Sequence, residues 1–185
     1  MLADAGATFI QLREKKLSSL DFYNEAKAAL AVARQRNVTL IINDRVDIAL
    51  ALGAAGVHLG QDDLPPEAAR KLLGDDAIIG YSSHNIAQAT AAAQLPIDYL
   101  AIGPIFQTGT KANPDPVVGL DGLRAVRQVV GRLPLVAIGG ITEENARSAI
   151  DAGADSIAVI SAVLSGGAAT ISVRYRTLAA VLSRR

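Results

Sequence analysis

Seven short apolar segments, separated by longer alanine- and leucine-rich stretches, are the feature of this sequence that most restricts its fold. The segments are rich in β-branched residues and span residues 8–12, 38–42, 56–59, 77–81, 98–105, 135–138 and 156–160. The stretches between them have helical composition, for example over residues 20–36, 66–73, 86–94, 120–130 and 143–152. Because strands that alternate with helices pair in parallel through right-handed crossovers, the sequence predicts an α/β fold.

The predicted strands are almost continuously apolar, as strands are when both faces of their sheet are covered. Seven or more such strands favour a TIM (β/α)8 barrel, and an open doubly wound sheet is the alternative. A (β/α)8 barrel needs eight strands, whereas residues 2–7 resemble only the end of a first helix. We therefore expect a single domain over residues 1–185 whose first β-strand is missing before Met1.

Composition narrows the possible partners. Lys and Arg balance Asp and Glu at 18 each, and aromatic residues make up only 4% of the chain. This composition argues against a nucleic-acid partner. Cysteine is absent, and neither a signal peptide nor a membrane-spanning segment is evident. We expect a cytoplasmic protein without a membrane partner, for which a homo-oligomer is possible.

Short polar clusters follow the apolar segments. They lie at residues 11–15, 43–44, 61–63, 82–84 and 108–111. Because the carboxyl ends of parallel strands emerge at the same end of a barrel, these clusters would meet around one mouth, where barrel enzymes carry their active sites. The sequence therefore predicts an enzyme.

The first cluster contains Gln11, Arg13 and Lys15, each two residues from the next. Side chains at this spacing point to the same side of an extended chain, so all three would project into the mouth. The planar fork of arginine and the point charge of lysine together suit a polyphosphate. The alternative is a solvated strand end in which Glu14 pairs with a neighbouring lysine.

Two aspartates, Asp44 and Asp63, end successive strand regions and would share one hard cation. Mg²⁺ takes one or two protein carboxylates and fills its other positions with water and phosphate oxygens, which favours a Mg²⁺-diphosphate site. The alternative is helix capping, by Asp44 before Arg45 and by Asp62 or Asp63 before residue 65 or 66.

The longest irregular stretch covers residues 108–116 and contains Thr108, Thr110 and Lys111. Long loops in compact domains are usually functional or mobile, and Lys111 would neutralise a leaving group if this loop closed over it. A surface loop without function is the alternative.

Small residues follow the last two predicted strands, with Gly139 and Gly140 after the sixth and Ile160 and Ser161 after the seventh. In (β/α)8 barrels these loops, with the N-terminus of a short extra helix, frequently bind phosphate. The sequence thus predicts a second anion-binding side of the mouth.

Neither histidine is predicted to be a catalytic base. His58 lies within an apolar segment and is expected to be a hydrogen-bonded interior residue, and His84 follows Ser82 by two residues without a further partner for a hydrolytic triad. Ser82 is instead expected to hydrogen-bond a substrate.

Seven sequence strings in this order closely resemble the thiamine-phosphate synthase family over essentially the whole chain. They are QLREK at 11–15, IND at 42–44, GVHLGQDDL at 56–64, GYSSH at 80–84, GPIFQTGTK at 103–111, AIGGI at 137–141 and AVISA at 158–162. The resemblance implies a TIM barrel that joins a hydroxymethylpyrimidine diphosphate to a thiazole phosphate and releases diphosphate by a dissociative reaction.

Residue roles follow from the same resemblance. The residues implied to hold the pyrimidine diphosphate are Gln11, Arg13, Lys15 and Asn43. Those implied to hold the thiazole phosphate are Thr108, Thr110, Gly140, Ile160 and Ser161. Asp44 and Asp63 would hold a Mg²⁺ cofactor, Ser82 would contact the pyrimidine and Lys111 the diphosphate. The resemblance also implies catalytic roles for Arg13, Lys15, Ser82 and Lys111.

Alternatives within the resemblance are a thiazole tautomerase of the same superfamily, a non-catalytic binder of thiamine precursors, and a general sugar-phosphate barrel. A tautomerase expels no diphosphate and so has no need of Arg13, Lys15, Asp44, Asp63 and Lys111 together. One residue departs from the family pattern: Tyr81 replaces a smaller aliphatic residue and is expected to crowd the pyrimidine pocket.

Overall fold

The computed structural model describes residues 1–109 and 115–183. Within them, seven strands form one parallel sheet in which each strand pairs with the next along the chain. The strands are β1 (Phe9–Leu12), β2 (Thr39–Asn43), β3 (Gly56–Leu59), β4 (Ile78–Ser83), β5 (Tyr99–Ile102), β6 (Leu135–Ile138) and β7 (Ser156–Ala158).

Helices follow the strands, with a single 3-10 turn (Ala3–Ala5) before β1. They are α1 (Ser19–Gln35), α2 (Val46–Leu52), α3 (Pro66–Leu73), α4 (Ile86–Ala92), α5 (Gly119–Val130), α6 (Ala146–Asp151), α7 (Ser161–Leu164) and α8 (Ala168–Ser183). Among the described helices, none is both long enough and apolar enough to cross a membrane.

The strand order confirms the predicted α/β class and decides between its two architectures. A doubly wound sheet reverses its strand order at a switch point, whereas this sheet runs from β1 to β7 without reversal. The fold is therefore TIM-like. No described residues pair β7 with β1, and the eighth strand expected before Met1 stays a prediction.

Successive residues of each strand point alternately toward the helices and toward the barrel interior. Ile42, Val57 and Leu59 are fully buried and pack with Phe22 of α1 and Val46 of α2 in one apolar cluster. Since successive strand residues point to opposite faces, the neighbours of these residues face the interior. Polar residues near the strand ends are thereby directed into the mouth.

Several elements differ in length from the prediction, among them β4, β5, β7 and α6. β4 extends through Ser82 and Ser83, which pair with Ala101 and Ile102 of β5, because polar side chains are acceptable on strands that line a polar interior. β5 is shorter than residues 98–105, since Pro104 lacks the backbone N–H that a strand ladder requires.

Helix α8 was not among the predicted helices. It contains several β-branched residues, including Ile171 and Val173, which lower the intrinsic helix propensity of the segment. Its contacts with α6, α7 and the 3-10 turn supply tertiary stabilisation that local composition does not reveal.

Arginines on two helices secure the amino-terminal ends of the strands. Arg70 of α3 donates to the carbonyls of residues 74, 75, 77 and 96 and to the carboxylate of Asp98, which itself accepts from the amide of Ile79, the second residue of β4. Arg127 of α5 repeats this arrangement with Asp155 and the first amide of β6. These arginines hold the end of the sheet opposite the polar clusters, so the site is built on an anchored scaffold.

Candidate active site

Asp44 directly follows β2 and has a left-handed backbone with φ of 64°. Aspartate tolerates this conformation better than most residues do. Its amide donates to the carbonyl of His58 at 2.8 Å, which fixes it against β3. Its carboxylate accepts from Lys15 Nζ at 3.0 Å. The structure thus brings the Lys15 cation from the loop after β1 to the end of β2, as the sequence predicts.

Asp63 lies beside Asp44. Its Oδ2 accepts a hydrogen bond from the amide of Gly60 at 2.6 Å, which holds the carboxylate over the end of β3. Burial, together with the neighbouring Asp44 carboxylate, raises the pKa of Asp63, while the Gly60 amide and Lys15 oppose the rise. Two carboxylates therefore meet at the ends of adjacent strands.

The alternative assignment of these aspartates to helix capping is wrong. The N-cap residue of α2 is Arg45 and that of α3 is Pro65, and neither helix has a side-chain hydrogen bond at its N-cap. Asp44 and Asp63 instead direct their oxygens toward Lys15 and Gly60. Helix capping does not explain why carboxylates occupy these positions.

The paired carboxylates suit a small hard cation. No group of three or more His, Asp or Glu side chains that could hold a metal gathers anywhere in the part of the chain that the structure describes, so this site offers two carboxylates and no third such ligand. Mg²⁺ needs only one or two protein carboxylates when phosphate oxygens and water complete its shell. A shared cation would also relieve the repulsion that contributes to the raised pKa of Asp63. The residues present fit Mg²⁺.

Asn43, the last residue of β2, supplies an unsatisfied donor beside the carboxylates. Its side chain is 6% exposed, and its Nδ2 has no hydrogen-bond partner among the described residues. Leaving such a donor buried costs about 1–3 kcal/mol. Asn43 is paired in register with His58, whose ring lies in the interior. An acceptor oxygen of a bound ligand would satisfy this amide.

The residues of the first cluster differ in their surroundings. The Gln11 side chain is exposed and lies near the hydroxyl of Tyr99. Arg13 is exposed and forms no ion pair within residues 1–109 and 115–183. Glu14 accepts from the backbone amide of Lys16 at 2.6 Å and pairs with no lysine side chain in the same described ranges, so the ion pair of the alternative interpretation is not formed. Arg13 is available to an anion at the mouth.

Ser82 of β4 belongs to a hydrogen-bonded chain through the barrel interior. Its Oγ lies 2.8 Å from His58 Nε2, and His58 Nδ1 lies 2.8 Å from the Tyr99 hydroxyl. The side chain of Gln61 also donates to the Ser82 carbonyl at 2.6 Å. The prediction of His58 as a hydrogen-bonded interior residue is confirmed. Tyr99 was missed, because one tyrosine in an apolar segment gives no signal of its partners.

His58 should make stability depend on pH. Burial lowers its pKa to about 4, from 6.5 in a solvated histidine. Between these values the unfolded chain binds a proton that the folded chain rejects, so the free energy of unfolding falls as pH decreases. The expected slope from this residue is at most about 1.4 kcal/mol per pH unit.

Urea denaturation at several pH values between about 4 and 7 will measure this slope. His58→Gln, which does not titrate, should show a shallower pH dependence than the unsubstituted chain. Identical slopes for the two would show that His58 is not held neutral by the fold.

The opposite side of the mouth is built from glycines and a short helix. Gly139 and Gly140 have φ of 95° and 65°, and Asn145 Nδ2 donates to the Gly140 carbonyl at 3.0 Å. Ile160 and Ser161, at the start of α7, are both exposed. β2 and β3 are separated from β6 and β7 by two strands, so the glycine turn and the carboxylates lie on different sides of the mouth.

Three of the predicted site residues come after β5 in the sequence. Thr108 is half-buried and has interactions within the structure, whereas Thr110 and Lys111 lie outside the described residues. His84 makes a 2.7 Å contact with the Gly103 carbonyl and lies 3.4 Å from an Asp115 oxygen. His84 therefore holds the base of this loop and does not contact Ser82 as a base would.

The expected crowding of the pyrimidine pocket by Tyr81 is wrong. Tyr81 pairs in register with Leu59 and Leu100, whose side chains are buried against the helices. The Tyr81 ring packs on the same apolar clusters, and burial raises the pKa of its hydroxyl. Strand alternation places this ring outside the barrel interior, and the charges of Glu67, Asp63 and Asp62 also contribute to the raised pKa of its hydroxyl.

Comparisons with known proteins agree with this geometry. Residues 1–163 match the family model described as thiamine monophosphate synthase. The thiamine-phosphate synthase of Koribacter versatilis is 54% identical over 163 residues, which cover 88% of this chain and 76% of that protein. That of Clostridium novyi is 51% identical over 159 residues, covering 86% and 78%.

A solved structure also resembles this chain in its three-dimensional fold. The thiamine phosphate pyrophosphorylase from Pyrococcus furiosus superimposes with a TM-score of 0.86 at 37% identity, and the match covers 97% of this chain and 85% of that one. Sequence and fold thus agree along nearly the whole chain.

Proposed function

The chain belongs to the thiamine monophosphate synthase family, and on that premise we propose that it joins a hydroxymethylpyrimidine diphosphate to a thiazole phosphate, forming thiamine phosphate and diphosphate. The observation that carries the proposal is the meeting of Asp44, Asp63 and Lys15 on one side of the mouth, away from the glycine turn at Gly140. The proposed reaction has two anionic substrates, so the mouth needs two separate anion-binding sides.

The carboxylate side would hold the pyrimidine diphosphate. Asp44 and Asp63 would bind Mg²⁺, which supplies charge stabilisation to the departing diphosphate. The Lys15 ammonium, now paired with Asp44, would turn to a phosphate oxygen, and Arg13 would add a bidentate contact. The free amide of Asn43 would donate to the same ligand. Gln11 would line this side of the pocket.

The glycine side would hold the thiazole phosphate. The backbone amides at Gly140 and at the start of α7, Ile160 and Ser161, can donate to phosphate oxygens. The hydroxyl of Thr108 would join them. For Thr110 at the phosphate and Lys111 at the diphosphate, the support is the family resemblance alone, since both lie outside the described residues.

A dissociative reaction fits these side chains. The diphosphate would leave first, and the thiazole nitrogen would then attack the resulting pyrimidine-methyl cation. Such a reaction needs positioned cations and donors more than a strong base. The one histidine in the interior, His58, is buried and has a lowered pKa of about 4, so it is a poor base at neutral pH. Arg13 and Lys15 would stabilise the departing charge, and Ser82 would orient the pyrimidine.

An omission assay tests the proposal and separates it from its alternatives. The chain is incubated with both substrates, or with either alone, and thiamine phosphate is measured by mass spectrometry. Product that forms only with both substrates, with one diphosphate released per product, supports the synthase. Binding of both without product would support a non-catalytic binder, and isomerisation of the thiazole phosphate alone would support a tautomerase. The cytoplasmic location and a homo-oligomeric state stay predictions of the sequence.

Replacing Ser161 should affect one substrate more than the other. Ser161→Ala is expected to raise KM for the thiazole phosphate about tenfold, because one hydrogen bond to a charged group is lost, and to change KM for the pyrimidine diphosphate little. Ser165→Ala is the matched control, since Ser165 follows the last residue of α7 and its hydroxyl donates to the Ser161 carbonyl. An equal effect of Ser161→Ala on both substrates would contradict a mouth with two separate sides.

A further inference from the structure

We propose that Asn145 is a positioning residue that orients the backbone amide of Ile141 toward the mouth, where that amide donates to the phosphate of the thiazole substrate. This inference rests on the proposed function in taking the glycine turn, residues 139–141, as a phosphate-binding element. It goes beyond that function by adding a donor, the Ile141 amide, and the side chain that directs it. Asn145 acts from behind the turn and touches no substrate.

Asn145 lies on the outer side of the sheet, where the helices are. Helix α6, which begins at the next residue, packs on β6 through fully buried side chains of one apolar cluster. These are Ala146 and Ala149 of the helix and Leu135 and Ala137 of the strand. Because strand residues alternate, the other two residues of β6 face the barrel interior. Asn145 therefore approaches the end of β6 from the side opposite the interior.

The Asn145 side chain holds the backbone after β6 at two points. Its Nδ2 donates to the Gly140 carbonyl at 3.0 Å, and its Oδ1 accepts from the Thr142 amide at 2.8 Å. The backbone carbonyl of Asn145 in turn accepts from the Ser148 hydroxyl at 2.7 Å, which ties the residue to α6. The Gly140 carbonyl is thereby directed toward the helix side.

The peptide between Gly140 and Ile141 passes this orientation on to the next amide. The peptide is trans, and in a trans peptide the carbonyl and the following N–H point in opposite directions. Since the Gly140 carbonyl points to Asn145, the Ile141 N–H points away from α6 and toward the mouth. Ile141 is 5% exposed, and its amide donates to no residue that the structure describes. A buried amide without an acceptor is unfavourable, and a phosphate oxygen would supply the acceptor.

The preceding peptide is held in the same way by the loop after β5. The Phe106 amide donates to the Gly139 carbonyl at 3.0 Å, so the Gly140 N–H points away from that loop. The Gly140 amide also has no acceptor in residues 1–109 and 115–183. Successive N–H groups left free in a turn are suited to the oxygens of a phosphate. The glycine turn thus offers two donors, and the one at Ile141 depends on Asn145.

Amide NMR tests the Ile141 donor without any need for activity. The unsubstituted chain is titrated with inorganic phosphate and then with the thiazole phosphate, with chloride at equal ionic strength as the control. We expect the Ile141 amide proton to move downfield when the thiazole phosphate binds, because a hydrogen bond to a charged acceptor is short and strong. If the thiazole phosphate shifts other amides but not Ile141, or shifts none, the proposal is overturned, whether or not the chain forms thiamine phosphate.

Asn145→Ser tests the positioning role. Serine can still accept from the Thr142 amide, but it is too short to reach the Gly140 carbonyl. We expect KM for the thiazole phosphate to rise about tenfold, because one donor to a charged group loses its orientation, and KM for the pyrimidine diphosphate to change less than about twofold. The downfield shift of the Ile141 amide proton should also be smaller in this variant. Equal changes in the two KM values, or no change in either, would overturn the proposal.

Asn85→Ser is the matched control, because it makes the same substitution before another helix. Asn85 is the N-cap of α4, and its side chain accepts from the Gln88 amide at 2.9 Å. This variant should keep both KM values within about twofold of the unsubstituted chain. If Asn145→Ser and Asn85→Ser had the same KM for the thiazole phosphate, Asn145 would have no positioning role. If the unsubstituted chain forms no product, the dissociation constants of the two substrates replace KM, so that failure of the proposed function and failure of this inference are told apart.

Discussion

Asp63→Asn is expected to lower kcat/KM for thiamine phosphate formation by at least about 100-fold at Mg²⁺ concentrations that saturate the unsubstituted chain. Asparagine keeps the shape of the side chain and can still accept from the Gly60 amide, so the loop after β3 should hold its position. What it removes is one of the two negative charges that meet at the ends of β2 and β3. The affinity for the metal with its diphosphate should fall, and the melting temperature should not.

The neighbouring Asp62 provides the control. It is exposed, adjacent in sequence and of the same charge, so Asp62→Asn changes net charge equally and should change kcat/KM less than about twofold. Steady-state kinetics over a range of Mg²⁺ concentrations distinguish the two variants. An Asp63→Asn variant with unchanged rate and unchanged Mg²⁺ dependence would show that Asp63 has no part in the proposed metal site.

Gly140→Ala is expected to abolish productive binding of the thiazole phosphate, with kcat/KM for that substrate reduced about 100-fold. Gly140 has φ of 65°, where an L side chain costs about 1–2 kcal/mol. A Cβ there would also overlap the Gln107 carbonyl oxygen and lie 2.7 Å from that of Phe106. Either the glycine turn or the segment leading to Thr108 must move, and both belong to the side of the mouth that we propose holds the thiazole phosphate.

Gly131→Ala separates backbone strain from the clash. Gly131 has a similar φ of 60°, but a Cβ there meets nothing within 4 Å, and the residue ends α5 at the opposite end of the sheet. Both variants should lose stability in thermal denaturation, whereas only Gly140→Ala should raise KM for the thiazole phosphate strongly. If both variants kept ordinary kinetics, Gly140 would have no part in phosphate binding.

The class of fold follows from the sequence because it depends on repeated local patterns. Apolar strands alternating with helices leave few arrangements, and the bounds of β3 and β6 agree with the segments at residues 56–59 and 135–138. The convergence of Lys15, Asp44 and Asp63 was predictable for the same reason, since parallel strands end at one edge. Helix α8 depends on packing against the 3-10 turn at the other end of the chain, which no local pattern records.

The finer geometry of the site was not predictable. The left-handed backbone at Asp44 and the carboxylate pairing with Asp63 depend on how β2 and β3 are held together. The hydrogen bond between His58 and Tyr99 joins residues 41 positions apart, and composition cannot predict such pairs. For Tyr81 the prediction failed in the opposite way. The residue is adjacent to Ser82 in sequence, but it lies on the other face of β4.

The most direct test of the central claim is the rate of thiamine phosphate formation from the two substrates with Mg²⁺, after EDTA and after Mg²⁺ is restored. The arrangement of Asp44, Asp63 and Lys15 predicts product with Mg²⁺, loss of nearly all activity with EDTA and full recovery on restoration. Product formation that is indifferent to EDTA, or a folded chain that binds both substrates and forms no product with Mg²⁺ present, would contradict a metal-assisted synthase at this mouth.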